Sequence, residues 1–123
     1  MSNIRATTIS DETGNGPIAL TKQYTAKAWL NFSTVANPPS IASSVNISSL
    51  TDDGVEVGVN LTNAMSNSTY APICTAGNSG TNPSNRSIAA GIATASSFET
   101  EVYTTANAHV ECQCYGAVFG DLA

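Results

Sequence analysis

Three thiols, one imidazole and nine carboxylates are the side chains of this 123-residue chain with the means to do chemistry, and their spacing decides what is open to them. Cys112 and Cys114 flank Gln113. On a strand they point to one face, with His109 on the opposite parity. Cys74 lies on a different predicted strand. These four have the ligand types zinc uses, but H-x-x-C-x-C is not the C-x₂₋₄-C spacing of structural sites. The pattern favours buried free thiols that pack as small apolar groups. A disulfide from Cys74 to Cys112 or Cys114 is the alternative, and three being odd, one thiol then stays free or pairs between chains. His109 is the sole histidine, and no G-x-S-x-G elbow offers a serine nucleophile. Asp52 with Asp53, or Glu99 with Glu101, could serve as acid and base on a sugar. A turn accounts for the first pair, however, and the outward face of a strand for the second. The single TDDG loop falls far short of a calcium-binding EF-hand pattern. The expectation is therefore no enzyme, with no catalytic residue, no metal ligand and no cofactor.

The charge balance narrows the partners. Only Arg5, Lys22, Lys27 and Arg86 are permanent cations, and the formal net charge is −5. There is no electrostatic footprint for a phosphate backbone, so nucleic acid is not an expected partner. Charged residues make up 11%, against roughly 25% in ordinary soluble domains. Ser, Thr and Asn take their place, at about a third of the chain. No segment approaches 18 consecutive apolar residues, so membrane insertion is not expected. The opening SNIRATTISDETGNG lacks the charged start and apolar run of a secretory signal, which predicts synthesis in the cytoplasm. A hydroxyl-rich, charge-poor surface suits a product displayed outside a cell. A virion component reconciles the two, and without secretion the five N-x-S/T matches at Asn31, Asn46, Asn60, Asn67 and Asn85 carry no glycan.

The elements that would position these residues read as all-β. Residues 1–20 look like an extended arm, because IRATTIS alternates β-branched residues and DETGNGP is a cluster of turn formers. Over 21–33 the spacing of Tyr24 and Ala28, with Trp29 and Leu30 beside them, predicts a short coupling helix capped by Thr21. Pro38 and Pro39 end it in a linker reaching residue 39. From about residue 40 to 123 the chain reads as a β-sandwich head. The clearest element is a hairpin in which Val45, Ile47 and Leu50 precede the Asp52-Asp53-Gly54 turn and Val55, Val57, Val59 and Leu61 follow it. Further strands are predicted over 68–75, around SIAAGIATASS, over 98–105 with Phe98, Thr100, Val102 and Thr104 on one face, and over 109–119, with Asn107 in the last turn. Five to seven strands at this spacing make a small antiparallel, jelly-roll-like sandwich. Its edges carry few charged gatekeepers, which favours their being covered by another copy of the chain.

AKAWLNF (26–32), SVNISSLTDDG (44–54), Tyr70 and the closing GAVFGDL (116–122) occur in an order that resembles the tail-fibre-like proteins of marine bacteriophages. The resemblance runs from about Ile4 to Leu122. It implies a structural virion protein, commonly a homotrimer with a β-rich C-terminal head, displayed on the particle surface and able to contact the host. Ser33 to Pro39 replaces the glycine-threonine run common after the aromatic pair, and the chain is far shorter than a full fibre. A tail fibre or spike held by its arm is the first reading, and a capsid decoration protein (cement or head fibre) the alternative. In either case residues 1–20 are expected to bind tail or capsid proteins. Tyr24, Lys27, Trp29, Leu30 and Phe32 are then the expected subunit interface, packed around a threefold axis, unless Trp29 is simply the core plug of a monomer. Contact with a host glycan or protein is expected from the polar loop holding Asn78, Ser79, Thr81, Asn82, Ser84, Asn85 and Arg86.

Overall fold

Along Ser97–Thr104 the chain places Phe98, Thr100 and Val102 in the interior and Glu99, Glu101 and Tyr103 outside. This period-two alternation gives a strand one apolar face, and it recurs through the molecule. The structure, a computed structural model, describes residues 25–77 and 86–123. The expected arm at 1–20, Tyr24, and residues 78–85 of the polar loop lie outside the described residues. Eight strands occur among the described residues: β1 (Ala28–Ser33), β2 (Ser40–Val45), β3 (Ile47–Asp52), β4 (Val57–Leu61), β5 (Ala71–Ala76), β6 (Arg86–Thr94), β7 (Ser97–Thr104) and β8 (Gln113–Phe119). Sheet A has the order β2-β1-β8-β5 and sheet B the order β3-β4-β7-β6, and every pairing is antiparallel. The sandwich is as expected. Eight strands is also the number in a jelly roll, but here β1–β2, β3–β4 and β6–β7 each pair sequence neighbours within one sheet.

The coupling helix is the main correction. No helix occurs among the described residues, and Ala28–Ser33 is instead an inner strand of sheet A, paired with β2 on one side and β8 on the other. Ala28, Leu30 and Phe32 face inward while Trp29, Asn31 and Ser33 face outward, so the apolar period is two. The four-residue spacing of Tyr24 and Ala28 favours a helix locally. A strand with partners on both edges satisfies every backbone group and buries the same apolar residues, and that tertiary gain outweighs a weak local propensity.

The core joins the two sheets. Leu30 and Phe32 from β1, Val57, Val59 and Leu61 from β4, Phe98 and Val102 from β7, and Cys114 and Val118 from β8 are all buried together. Met65 and Tyr70, from the long β4–β5 connection, plug one end. The hairpin β3–β4 forms as expected around Gly54, whose positive φ of 90° suits a residue without a Cβ. Asp52 Oδ1 accepts a 3.0 Å hydrogen bond from the Gly54 N–H, which accounts for that carboxylate as a turn former.

Three boundaries shift. Val45 and Ile47 are not in one strand, because Asn46 adopts φ 58° between them and turns the chain from sheet A into sheet B. Strand β5 starts at Ala71 rather than Ser68, after a turn in which Asn67 Oδ1 accepts from the Thr69 N–H at 2.8 Å. Strand β8 starts at Gln113 rather than His109, which makes only an isolated bridge to Tyr103. The SIAAGIAT segment is a strand, as its β-branched residues predict.

Candidate functional site

The strand polarity sorts the connections into two ends. At one end lie the chain entry at Thr25 to Lys27, the Asn46 corner, the 62–70 connection and the C-terminus, tied by the Met65–Leu122 bridge and by Asn46 Nδ2 donating to the Lys27 carbonyl at 3.2 Å. At the other lie the 34–39 loop, the 53–56 turn, the 105–112 loop and both flanks of the polar loop, Gly77 and Arg86. Gly77 N–H donates to the Gln113 carbonyl at 2.6 Å, and Arg86 Nη1 to the Glu111 carbonyl at 3.2 Å. Arg86 therefore sits at the base of the expected contact loop.

The outer face of sheet A is the second feature. Register aligns Val45, Trp29, Ala117 and Ile73 in one row across β2, β1, β8 and β5, and the next row is Ser43, Asn31, Tyr115 and Thr75. Val45 is 52%, Trp29 40%, Ile73 60% and Tyr115 44% exposed. Asn31 Oδ1 accepts from Gln113 Nε2 beside them. No outward strand residue of sheet A is charged, and Lys27 stands just before β1. The expected aromatic interface is thus divided. Leu30 and Phe32 are in the core, at 2% and 0% exposure, while Trp29 is on the surface and is not a core plug. Sequence reasoning missed Val45, Ile73 and Tyr115 as members of this face. Period two marks each as outward or inward, but only the strand order brings them alongside Trp29.

The opposite, outer face of sheet B carries the carboxylates. Glu56, Glu99 and Glu101 border a shallow, open depression of about 230 Å³ floored by Ala89, Ala90 and Gly91. The Tyr103 hydroxyl is held above its ordinary pKa by its hydrogen bond to Glu101, with slight burial and the negative charges of Glu101 and Glu56 adding to it.

The three cysteines meet inside. Cys112 and Cys114 are fully buried with Sγ atoms 3.6 Å apart, and Cys74 faces the same interior from β5. All three are free thiols. Burial pushes the Cys74 thiol up to about 11. Burial, reinforced by neighbouring Cys112, raises Cys114 further. Such groups are overwhelmingly thiols at neutral pH and poor nucleophiles. His109 does not join them. It lines a cavity of about 10 Å³ at the loop end, with Thr34, Asp52, Val55 and Glu111. That is room for one water molecule. Among the described residues no group of three or more His, Cys, Asp or Glu side chains is placed to hold a metal ion.

Neither a family model, a curated protein nor a solved structure matches this chain.

Proposed function

We propose that this chain is a structural component of a bacteriophage particle, a short homotrimeric tail-fibre or spike-like head made in the host cytoplasm and displayed on the virion surface. One observation carries the reading: the chain enters the sandwich at one end, while Gly77 and Arg86, the flanks of the Asn/Ser/Thr-rich loop, stand at the other. Strands of five to nine residues separate the ends by about 16–30 Å at ~3.3 Å per residue. A segment that anchors at the entry end would present the loop outward. That is the arrangement a displayed adhesive head requires, with residues 1–20 binding tail or capsid proteins and polar loop groups, including Arg86, bonding a host glycan or protein. The resemblance of AKAWLNF and SVNISSLTDDG to tail-fibre-like proteins points the same way.

Quantitative mass spectrometry and immunogold labelling of purified particles test the reading. A few copies at the tail are expected. Dozens to hundreds of copies over the head would instead make the chain a capsid decoration protein, and absence from purified particles would overturn both.

A further inference from the structure

The two faces of the sandwich differ in charge in a way that bears on self-association. The outer face of sheet A has an apolar row of Val45, Trp29, Ala117 and Ile73 and no charged strand residue, whereas the outer face of sheet B carries Glu56, Glu99 and Glu101. The chain as a whole is at −5. Two copies meeting through sheet B would bring carboxylates together, and a sheet A to sheet B contact would bury glutamates against indole and alkyl groups without partners. Sheet A against sheet A brings no like charges together and removes apolar surface from water on both sides.

We propose that sister copies of this chain pack through the outer faces of their A sheets, with Trp29, Ile73, Val45 and Tyr115 as the contact. This rests on the reading of the chain as a self-assembling surface protein and names the face by which it assembles. In a threefold arrangement each face is shared between two neighbours. Four strands ~4.8 Å apart and about six residues long give a plan area of roughly 400 Å². Shared between two neighbours, it leaves about 200 Å² for each contact, a quarter of the ~800 Å² per partner of a standard stable interface. The pairing is therefore weak for free protein, in the micromolar to millimolar range, and is strengthened on a particle where many copies are held close.

Sedimentation velocity over a concentration series tests this on the full chain. Reversible association that increases with added salt is expected, because salt screens the repulsion between acidic copies while leaving an apolar contact intact. Ile73→Lys is expected to weaken association at least tenfold while far-UV circular dichroism stays unchanged, since the side chain is exposed. Val45→Lys, at the opposite edge of the face, serves the same purpose if the first variant does not fold. Glu101→Gln, on the other face, should not weaken association. A wild-type chain that stays monomeric up to about 1 mM, or lysine variants that assemble as well as wild type, would overturn the proposal. Either result would leave the particle location untouched, and absence from particles would leave the association result untouched.

Discussion

Cys74 shows how one side chain ties the packing to pH. Its thiol is raised from 9.0 to about 11 because the interior disfavours the thiolate. The folded state therefore holds this proton more tightly than the unfolded chain does. The associated stability is fully present below pH ~9 and is lost as pH rises through about 11. Urea unfolding at pH 8 and pH 10.5 should show a lower midpoint at the higher pH, with a smaller drop in Cys74→Ala. Cys114 and Tyr70 are raised by burial as well and add to the same slope. Gly116 is the complementary case. A Cβ there would meet Leu30 Cδ2 at 2.8 Å and Cys74 Sγ at 3.1 Å. Leu30 is buried in the core and Cys74 packs partly buried against it. Gly116→Ala should cost about 1–3 kcal/mol by overpacking, read as a lower urea midpoint with an unchanged slope.

Among the elements, the Asn46 corner decides which strands belong to which sheet. Its Nδ2 donates to the Lys27 and Asn63 carbonyls, its Oδ1 accepts from the Asn63 N–H and Nδ2, and its carbonyl accepts from the Thr62 N–H. Asparagine also tolerates the left-handed backbone that the corner needs. Asn46→Ala should therefore cost about 2–3 kcal/mol, from lost hydrogen bonds and an unfavourable φ, measurable by chemical denaturation. Asn46→Gly, which keeps the φ but loses the side-chain bonds, should cost less. The segment SVNIS around it reads locally as one continuous alternating strand. Nothing in its spacing separates a strand that runs on from one that turns into the facing sheet. Thr34 makes a similar join at the far end, where its hydroxyl donates to the Cys112 carbonyl and accepts from the Cys112 N–H at 2.9 Å. There too a residue that looks like linker is part of the fold.

For the molecule as a whole, the segregation of charge becomes a statement about solubility. Under the proposed pairing, like-charge repulsion among Glu56, Glu99 and Glu101 disfavours contacts through sheet B, and the uncharged face of sheet A carries no such penalty. Neutralising two of them, Glu99→Gln with Glu101→Gln, changes the formal net charge from −5 to −3, since each substitution removes one negative charge. Such a variant should aggregate at lower concentration near neutral pH, followed by light scattering, without loss of thermal stability, because exposed carboxylates contribute mainly repulsion between copies. The edges bear on the same question. Strand β2 carries no charged side chain, β6 carries only Arg86, and among the described residues both are paired on one side only.

Local pattern alone makes the residues from about 40 onward a β-sandwich, turns the 47–61 hairpin at Gly54, points Phe98, Thr100 and Val102 inward, and points Glu99 and Glu101 out. Each of these follows from period-two alternation and turn chemistry, which act over a few residues. Long-range pairing makes Ala28–Ser33 an inner strand rather than a helix, puts Leu30 and Phe32 in the core, and lines up Val45, Trp29, Ala117 and Ile73 in one bare row. Those outcomes depend on partners up to about 90 residues away, whose backbone pairing and apolar burial outweigh any local preference.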